Sequence, residues 1–495
     1  MTAVPKTLAP RTPARATAWL VGVVTLLHLI VAGRVELGAD EAHYALYGLH
    51  LAWSYFDHPP MVGWLQALVL PFSQSDFALR LMPAVLLVAS STVLYRLTRT
   101  IFPDDSPWLG FAAVAVLHSS IALNTMGIMM LPEDPLLLFG LLSVSSLYHA
   151  VHKPALSRWL LLGLFMGLAG LSKYTAIALV PTVLLYLQWE RKWTLIRTPG
   201  PWIAALVGAI LVCPVFIWNA QHDWISLAFQ WHHGTGGTHW KISRMLQSQA
   251  AQLLAYGPGL YIFGYVAVAS GLRKRTDHGT RLLLSLSLPL LVLFAWSSGK
   301  TATLPHWTAL AWAGLAPLVA RLVFRHWRHF AWRLGVAASL LYSVGLILVL
   351  HSLLFTPWLR MPPYANPLAE VYGWQAAAKR ALALRQEMER TPGSKPVLFT
   401  GYWTEAARLA WYARPQRLVV TDRRYDQFDL WFGSPRKGAR GIFIATRRWH
   451  HGPRTEGPNS FARCVRVDHL DIVVHGRAFN TFTFYRCSGY GQHAP

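Results

Sequence analysis

Residues Glu36–Leu65 read "ELGADEAHYALYGLHLAWSYFDHPPMVGWL" and follow directly on an apolar run, Ala16–Gly33. Asp40, Glu41, His43, Asp57 and His58 are crowded into this one stretch. Charge beside hydrocarbon is costly, and a chain that keeps it there generally uses it. The reading therefore turns on which side of a membrane the stretch occupies, and on what else lies on that side.

Of the 495 residues, 54% are hydrophobic and only 14% are charged. A soluble chain of this length would carry about a quarter charged residues. The composition describes a polytopic membrane protein with one large membrane domain and one modest soluble domain. Lys and Arg outnumber Asp and Glu by 45 to 22. In a membrane-embedded chain that excess reads as topology signal or attraction to anionic lipid, and nucleic acid is not expected as a partner. The amino terminus, basic and then apolar, resembles a signal peptide. Its apolar run is too long for that and no small-residue cleavage site follows, so it reads as a retained signal anchor.

A spanning helix needs about 20 mainly apolar residues. Eleven candidates meet or approach this: Ala16–Gly33, Leu79–Leu97, Trp108–Met126, Pro135–Val151, Trp159–Leu171, Thr175–Trp189, Trp202–Trp218, Leu253–Leu272, Leu282–Trp296, His306–Leu322 and Leu334–Phe355. With the amino terminus in the cytoplasm, the inner segments carry 18 Lys or Arg and the outer ones 6. That asymmetry sets the orientation. The expected division is a membrane domain over 1–355 and a soluble domain over 356–495.

The tail begins with a helical pattern in "NPLAEVYGWQAAAKRALALRQEMER". Five β-rich runs follow: "KPVLFTG", "RLVV", "GIFIAT", "CVRVDHL" and "FTFYRC". This predicts a small α/β domain outside the cytoplasm, with 21 Lys or Arg against 10 Asp or Glu. In such a compartment Cys464 and Cys487 can pair or stay apart. Cys213 lies in an apolar run. Within the opening stretch, Ala45, Leu46, Leu49 and Trp53 recur at helical spacing and suit a helix lying in the membrane interface.

This topology puts the opening stretch in the first outer loop. On the same face lie "LPEDPLLLF" with Glu133 and Asp134, Lys173 at the end of the fifth candidate helix, "WNAQHDWISLAFQWHHGTGGTHW", and "SSGKTATLPHW" with Lys300 and His306. Glu133 reads as the more exposed neighbour of Asp134. Each residue has a plain structural reading: Asp40 and Asp134 can cap helices, Lys173 can snorkel, and adjacent His232 and His233 beside Trp231 can form a stacked interfacial patch.

The ordered set "DEAHY", "YFDHPP", "EDPLLLF" and "GLSKYTA" resembles the GT-C glycosyltransferases. The similarity is greatest to the branch of protein O-mannosyltransferases and lipid A aminoarabinose transferases. It covers roughly Ala16–Trp307. It implies transfer of a sugar from a polyprenyl (undecaprenyl) phosphate donor to a glycolipid, glycan or protein acceptor, lipid A or another envelope glycolipid foremost. It also implies a bacterial inner membrane, with the active site and soluble domain in the periplasm. Asp40 matches the family's catalytic aspartate, as general base or acceptor-positioning group, and Asp134 matches its second acidic position, implied as a catalytic partner. Glu41, Tyr44, His58, Lys173, Lys300 and His306 are the matching substrate-binding candidates, with Lys241 and Arg244 weaker. Asp57 and His58 stand where the aminoarabinose transferases have Glu-Lys, so a fixed cation is missing there. A divalent metal, zinc or magnesium, on Asp57 with His232 or His233 is a further implication. The competing function, a transporter or flippase of lipid-linked sugars, predicts polar groups near mid-bilayer and repeated halves. The sequence displays neither.

Overall fold

The computed structural model describes residues 11–236, 239–273, 276–359, 361–362, 366–446, 452–457, 459–474 and 476–492. Lys6, Lys274 and Arg275, counted above among the inner basic residues, lie outside these. The chain is mainly helical, with a small sheet near its carboxyl end. It separates into two compact units. One comprises Met1–Ile30, Asp57–Val62 and Arg80–Val349; the other comprises Val31–Phe56, Gly63–Leu79 and Leu350–Pro495.

In the first unit, backbone polar groups that meet no water must bond within their own segment, and the apolar runs comply by becoming helices. Among the described residues, eight helices are long and apolar enough to cross a membrane: Thr12–Ala32, Asp76–Ile101, Glu133–His152, Pro199–Gln221, Ile242–Arg273, His278–Lys300, Pro305–His326 and Phe330–Phe355. Leu109–Ser119, Leu156–Ser172 and Tyr174–Trp189 are apolar but shorter. The expected span Trp108–Met126 breaks at Ser120. That residue is extended, and its hydroxyl accepts from the Leu123 N–H to start a new short helix.

Close approach between helices depends on small residues. A Cβ on Gly163 would lie 2.4 Å from the Ala204 carbonyl oxygen, so the helices Leu156–Ser172 and Pro199–Gln221 meet backbone to backbone there. The helix Ala309–His326 is buried along most of its length, with Trp312 wholly inside. By contrast, Leu334, Leu341 and Leu348 on Phe330–Phe355 are exposed, as befits a surface that hydrocarbon would cover. Ile242–Arg273 is kinked at Gly257, whose φ of 78° favours glycine, and Pro258 follows it.

The second unit is built on a five-stranded sheet: β1 (Val397–Thr400), β2 (Leu418–Val420), β3 (Gly441–Thr446), β4 (Phe461–Val474) and β5 (Arg477–Tyr490), in the order β2-β1-β3-β5-β4. Strands β1, β2 and β3 are parallel, whereas β5 runs antiparallel to β3 and β4. All five β-rich runs become strands. Residue alternation sorts the two faces. Leu398 and Ile442 join the core under the helices Trp374–Glu389 and Trp403–Tyr412, while Phe399 and Phe443 pack on the opposite face against Phe461 and Tyr490. Cys464 and Cys487 face each other across β4 and β5 and form a disulfide. The helical pattern of the tail is broken, because Gly373 at φ 90° separates a short turn, Pro367–Glu370, from the helix Trp374–Glu389.

The first outer segment packs into this second unit, whereas the sequence assigned it to the membrane domain. Ala45 and Leu46 lie in the core of the second unit with Trp374, Ala378 and Phe482, whereas Leu49 of the same apolar stripe is exposed. Trp53 lies beyond the helix, which ends at Leu49, and is exposed. Polar bonds secure the segment. The Glu36 carboxylate accepts from the Trp374 N–H at 2.6 Å and the Gln375 N–H at 3.4 Å, capping a helix far along the chain. Asp76 accepts from Trp411 Nε1 at 3.1 Å and the Tyr412 hydroxyl at 2.5 Å.

Candidate active site

Within the membrane unit, the polar residues of the outer segments gather around Glu133. Pro132 and Pro135 set the start of the helix Glu133–His152. Asp134 turns back, its Oδ2 accepting from the Leu131 N–H at 2.6 Å. This is a helix-start bond of the kind its plain structural reading anticipates. Glu133 instead reaches across to Lys173 and pairs with its ammonium group. The expectation that Glu133 is the exposed neighbour is overturned: it is 3% exposed, as is Asp134. The reason is its partner, since a buried carboxylate is tolerated when a cation and hydrogen bonds replace water.

Lys173 is not snorkelling either, being 7% exposed. It follows the last residue of Leu156–Ser172 in an extended conformation, before the short turn Tyr174–Ala178. That break sets its side chain beside Glu133. Its ammonium also lies 5.5 Å from the centre of the Trp307 ring, within cation–π range. His306 Nε2 is 3.5 Å from Glu133 Oε1. His58 lies close enough to act on the Glu133 charge as well.

The turn that carries His306 and Trp307, Pro305–Thr308, is held from behind. The Tyr256 hydroxyl donates to the Pro305 carbonyl at 2.7 Å. Gln252 Oε1 accepts from the Thr308 hydroxyl at 3.1 Å and from Trp312 Nε1 at 3.0 Å. Tyr256 directly precedes the Gly257 kink, so that kink and the histidine turn are one packed assembly.

The remaining candidates are spread around this centre. His233 stacks on Phe229 and meets Trp307 edge-on at 5.4 Å. His232 is exposed, and its Nδ1 bonds the Ala228 carbonyl at 2.7 Å. Asp57 is half-buried, and its backbone carbonyl accepts from Gln230 Nε2. Lys300 is half-buried, and its backbone carbonyl accepts from Arg244. Asp57, His232 and His233 do not form a set of ligand atoms within 4.8 Å of one another; among the described residues His152, Glu190 and His278 do. The implied metal was expected on Asp57 with His232 or His233, two ligands that are too few to define a site, and no chemistry is derived through it.

In the second unit, the helix Ala39–Leu49 carries Asp40, Glu41 and Tyr44. Gly38 precedes the helix, and Glu41 Oε2 reaches back to accept its N–H at 2.9 Å. Glu41 thus serves the helix start, while Asp40 sits half-buried in the first turn. Next along this helix, the buried His43 ring lies among Tyr47, Trp403, Phe428 and Trp431. Asp426 caps the helix Gln427–Phe432 through Oδ1, at 2.8 Å from the Phe428 N–H. Burial, with Asp429 and Asp422 adding like charge, pushes the Asp426 carboxyl up to about 7.

Sequence reading missed the Glu133–Lys173 pair and the buried Arg80, which is 2% exposed. A buried partner forty residues away leaves no local signal. The acid directly after a proline at a helix start was the available hint.

A helical unit with buried ionisable groups at its helix ends, joined to a small α/β unit, has the GT-C fold, and the known proteins it resembles are glycosyltransferases. Residues 57–218 match the family model described as dolichyl-phosphate-mannose-protein mannosyltransferase. The lipid A galacturonosyltransferase RgtD of Rhizobium johnstonii is 27% identical over 405 residues, spanning 79% of this chain and 76% of that protein. The lipopolysaccharide core galacturonosyltransferase RgtA of the same organism is 27% identical over 39% of this chain and 38% of its own length. The crystal structure of ArnT from Cupriavidus metallidurans bound to undecaprenyl phosphate superposes with a TM-score of 0.62 at 14% identity, covering 95% of this chain and 98% of that one. The Archaeoglobus fulgidus oligosaccharyltransferase gives a TM-score of 0.54 at 12% identity, covering 89% of this chain and 70% of that one. These two solved structures share the fold.

Proposed function

We propose that this protein is a glycosyltransferase that moves a sugar from a polyprenyl phosphate carrier to lipid A or a closely related envelope glycolipid. The observation that carries the reading is the buried Glu133–Lys173 pair with His306 alongside. A carboxylate held this way fixes a lysine ammonium that retains further N–H donors for a phosphate. His306 and His58 add donors that strengthen when protonated. The named similarity to a lipid A galacturonosyltransferase supports lipid A as acceptor and a uronic acid as the sugar. The crystal structure of ArnT with undecaprenyl phosphate supports the carrier.

In this reading Asp40 takes the proton of an acceptor hydroxyl, or orients the acceptor if the receiving group is a phosphate. Asp134 holds the helix start, so that Glu133 and Lys173 keep their positions. Glycosyl transfer passes through a positively charged, oxocarbenium-like state, which nearby carboxylates favour. The phosphate leaves with its charge met by Lys173. The basic inner loops orient the membrane unit with this site outward. The Cys464–Cys487 disulfide supports an oxidising space for the second unit.

The test is reconstitution. Purified protein in lipid nanodiscs receives undecaprenyl-phosphate-linked galacturonic acid and lipid A, and the products are weighed by mass spectrometry. The expected result is lipid A heavier by one sugar residue. Unmodified lipid A in the presence of intact, folded protein and donor would overturn the reading.

A further inference from the structure

At the other end of the helix that begins with Glu133, the structure assigns a second cluster: we propose that His152, Glu190 and His278 bind a zinc ion. Glu133 and His152 are the first and last residues of a 20-residue helix, so the two clusters lie about 28 Å apart along it. The new site is thus separate from the transfer site.

The three ligands come from three different helices. His152 ends Glu133–His152, Glu190 follows Leu179–Trp189, and His278 begins His278–Lys300. One ligand atom from each lies within 4.8 Å of the others. Glu190 Oε2 is 4.0 Å from His152 Nε2 and hydrogen-bonded to His278 Nδ1. The two imidazole rings meet edge to face, with centres 4.5 Å apart.

Two imidazoles and one carboxylate form a donor set that suits zinc and leaves a fourth position open. The surroundings are those of a built site. The Glu190 side chain is 2% exposed, and its other oxygen accepts from Arg281 at 3.2 Å, which fixes the direction of the carboxylate. The Tyr186 hydroxyl lies 2.8 Å from His152 Nε2, a hydrogen bond that zinc on that nitrogen would replace. Access exists, because the His278 side chain is 56% exposed and the His152 side chain 22%. Zinc would replace the proton now shared by His278 and Glu190 and would tie the three helix ends together. The competing account is a hydrogen-bonded clasp in which Arg281 alone neutralises Glu190.

The full-length protein in detergent, stripped with EDTA, is titrated with zinc chloride against a chelating indicator, and bound zinc is counted by elemental analysis. Wild type should bind one equivalent that Glu190→Gln and His278→Ala lose, with affinity reduced at least tenfold. Any zinc held elsewhere would be common to all three proteins. Because loss of zinc can also follow from misfolding, His278→Cys provides a second readout. X-ray absorption should then show one sulfur at about 2.3 Å from zinc. Equal zinc in wild type and in the His152→Ala/His278→Ala double variant, or no sulfur in the shell of folded His278→Cys, overturns the site.

Discussion

Breaking the Glu133–Lys173 pair has a consequence whose size follows from burial. Glu133→Gln leaves the Lys173 ammonium, 7% exposed, without its carboxylate. Lys173→Met leaves the Glu133 carboxylate, 3% exposed, with His306 at 3.5 Å as a weaker partner. Removing one member of a buried pair costs about 3–5 kcal/mol, because the other charge stays out of water. Removing both charges leaves neither stranded, so Glu133→Gln/Lys173→Met should lose less stability than the two single changes summed. The expected coupling is about 2–3 kcal/mol. Unfolding in a detergent–denaturant series, followed by tryptophan fluorescence at one temperature, measures all four proteins. Simple additivity, with the double variant losing the sum of the singles, would refute the pairing and the site built on it. The double variant is also expected to fold and yet not transfer sugar.

Further predictions concern the second unit. The Asp426 carboxyl ionises near 3.8 when unfolded and at about 7 when folded. Between these values the folded chain binds more protons, so stability should fall as pH rises from 4 to 7, by about 4 kcal/mol at most. Asp426→Asn keeps an acceptor for the Phe428 N–H, so its melting should match wild type below about pH 3.8 and exceed it increasingly as pH rises to 8; an unaltered pH profile would contradict this. Glu36→Ala removes the acceptor of the Trp374 and Gln375 N–H groups and should cost about 1–2 kcal/mol in the same unfolding assay, with Glu36→Gln milder. Thiol labelling of unreduced, denatured protein should find one thiol, Cys213, and three after reduction. Three before reduction would remove the disulfide and its support for an oxidising compartment.

The membrane helices were legible because one property suffices: a long apolar run in hydrocarbon has to close its own backbone hydrogen bonds. The five strands were legible for a related reason, since short β-branched and aromatic runs between Gly, Pro and charges have few other uses. Partnership was not legible. The apolar stripe of Ala45 and Leu46 announces burial without saying against what, and the core of the second unit covers these two residues. Glu133 and Asp134 are adjacent, yet successive helix residues point about 100° apart. Only the place of Lys173 in the fold decides which of them reaches it. Glu36 carries no local mark of its role, yet it caps a helix near the other end of the chain. His152, Glu190 and His278 drew no notice for the same reason, because three helices bring them together.

The most direct measurement is single-turnover transfer by Asp40→Asn beside wild type, with the same undecaprenyl-phosphate sugar and lipid A. The account predicts a rate reduced about 10²–10⁴-fold in a protein that still folds and binds donor with affinity within a few-fold of wild type. Transfer at the wild-type rate would contradict the assignment of the first outer helix to the chemistry.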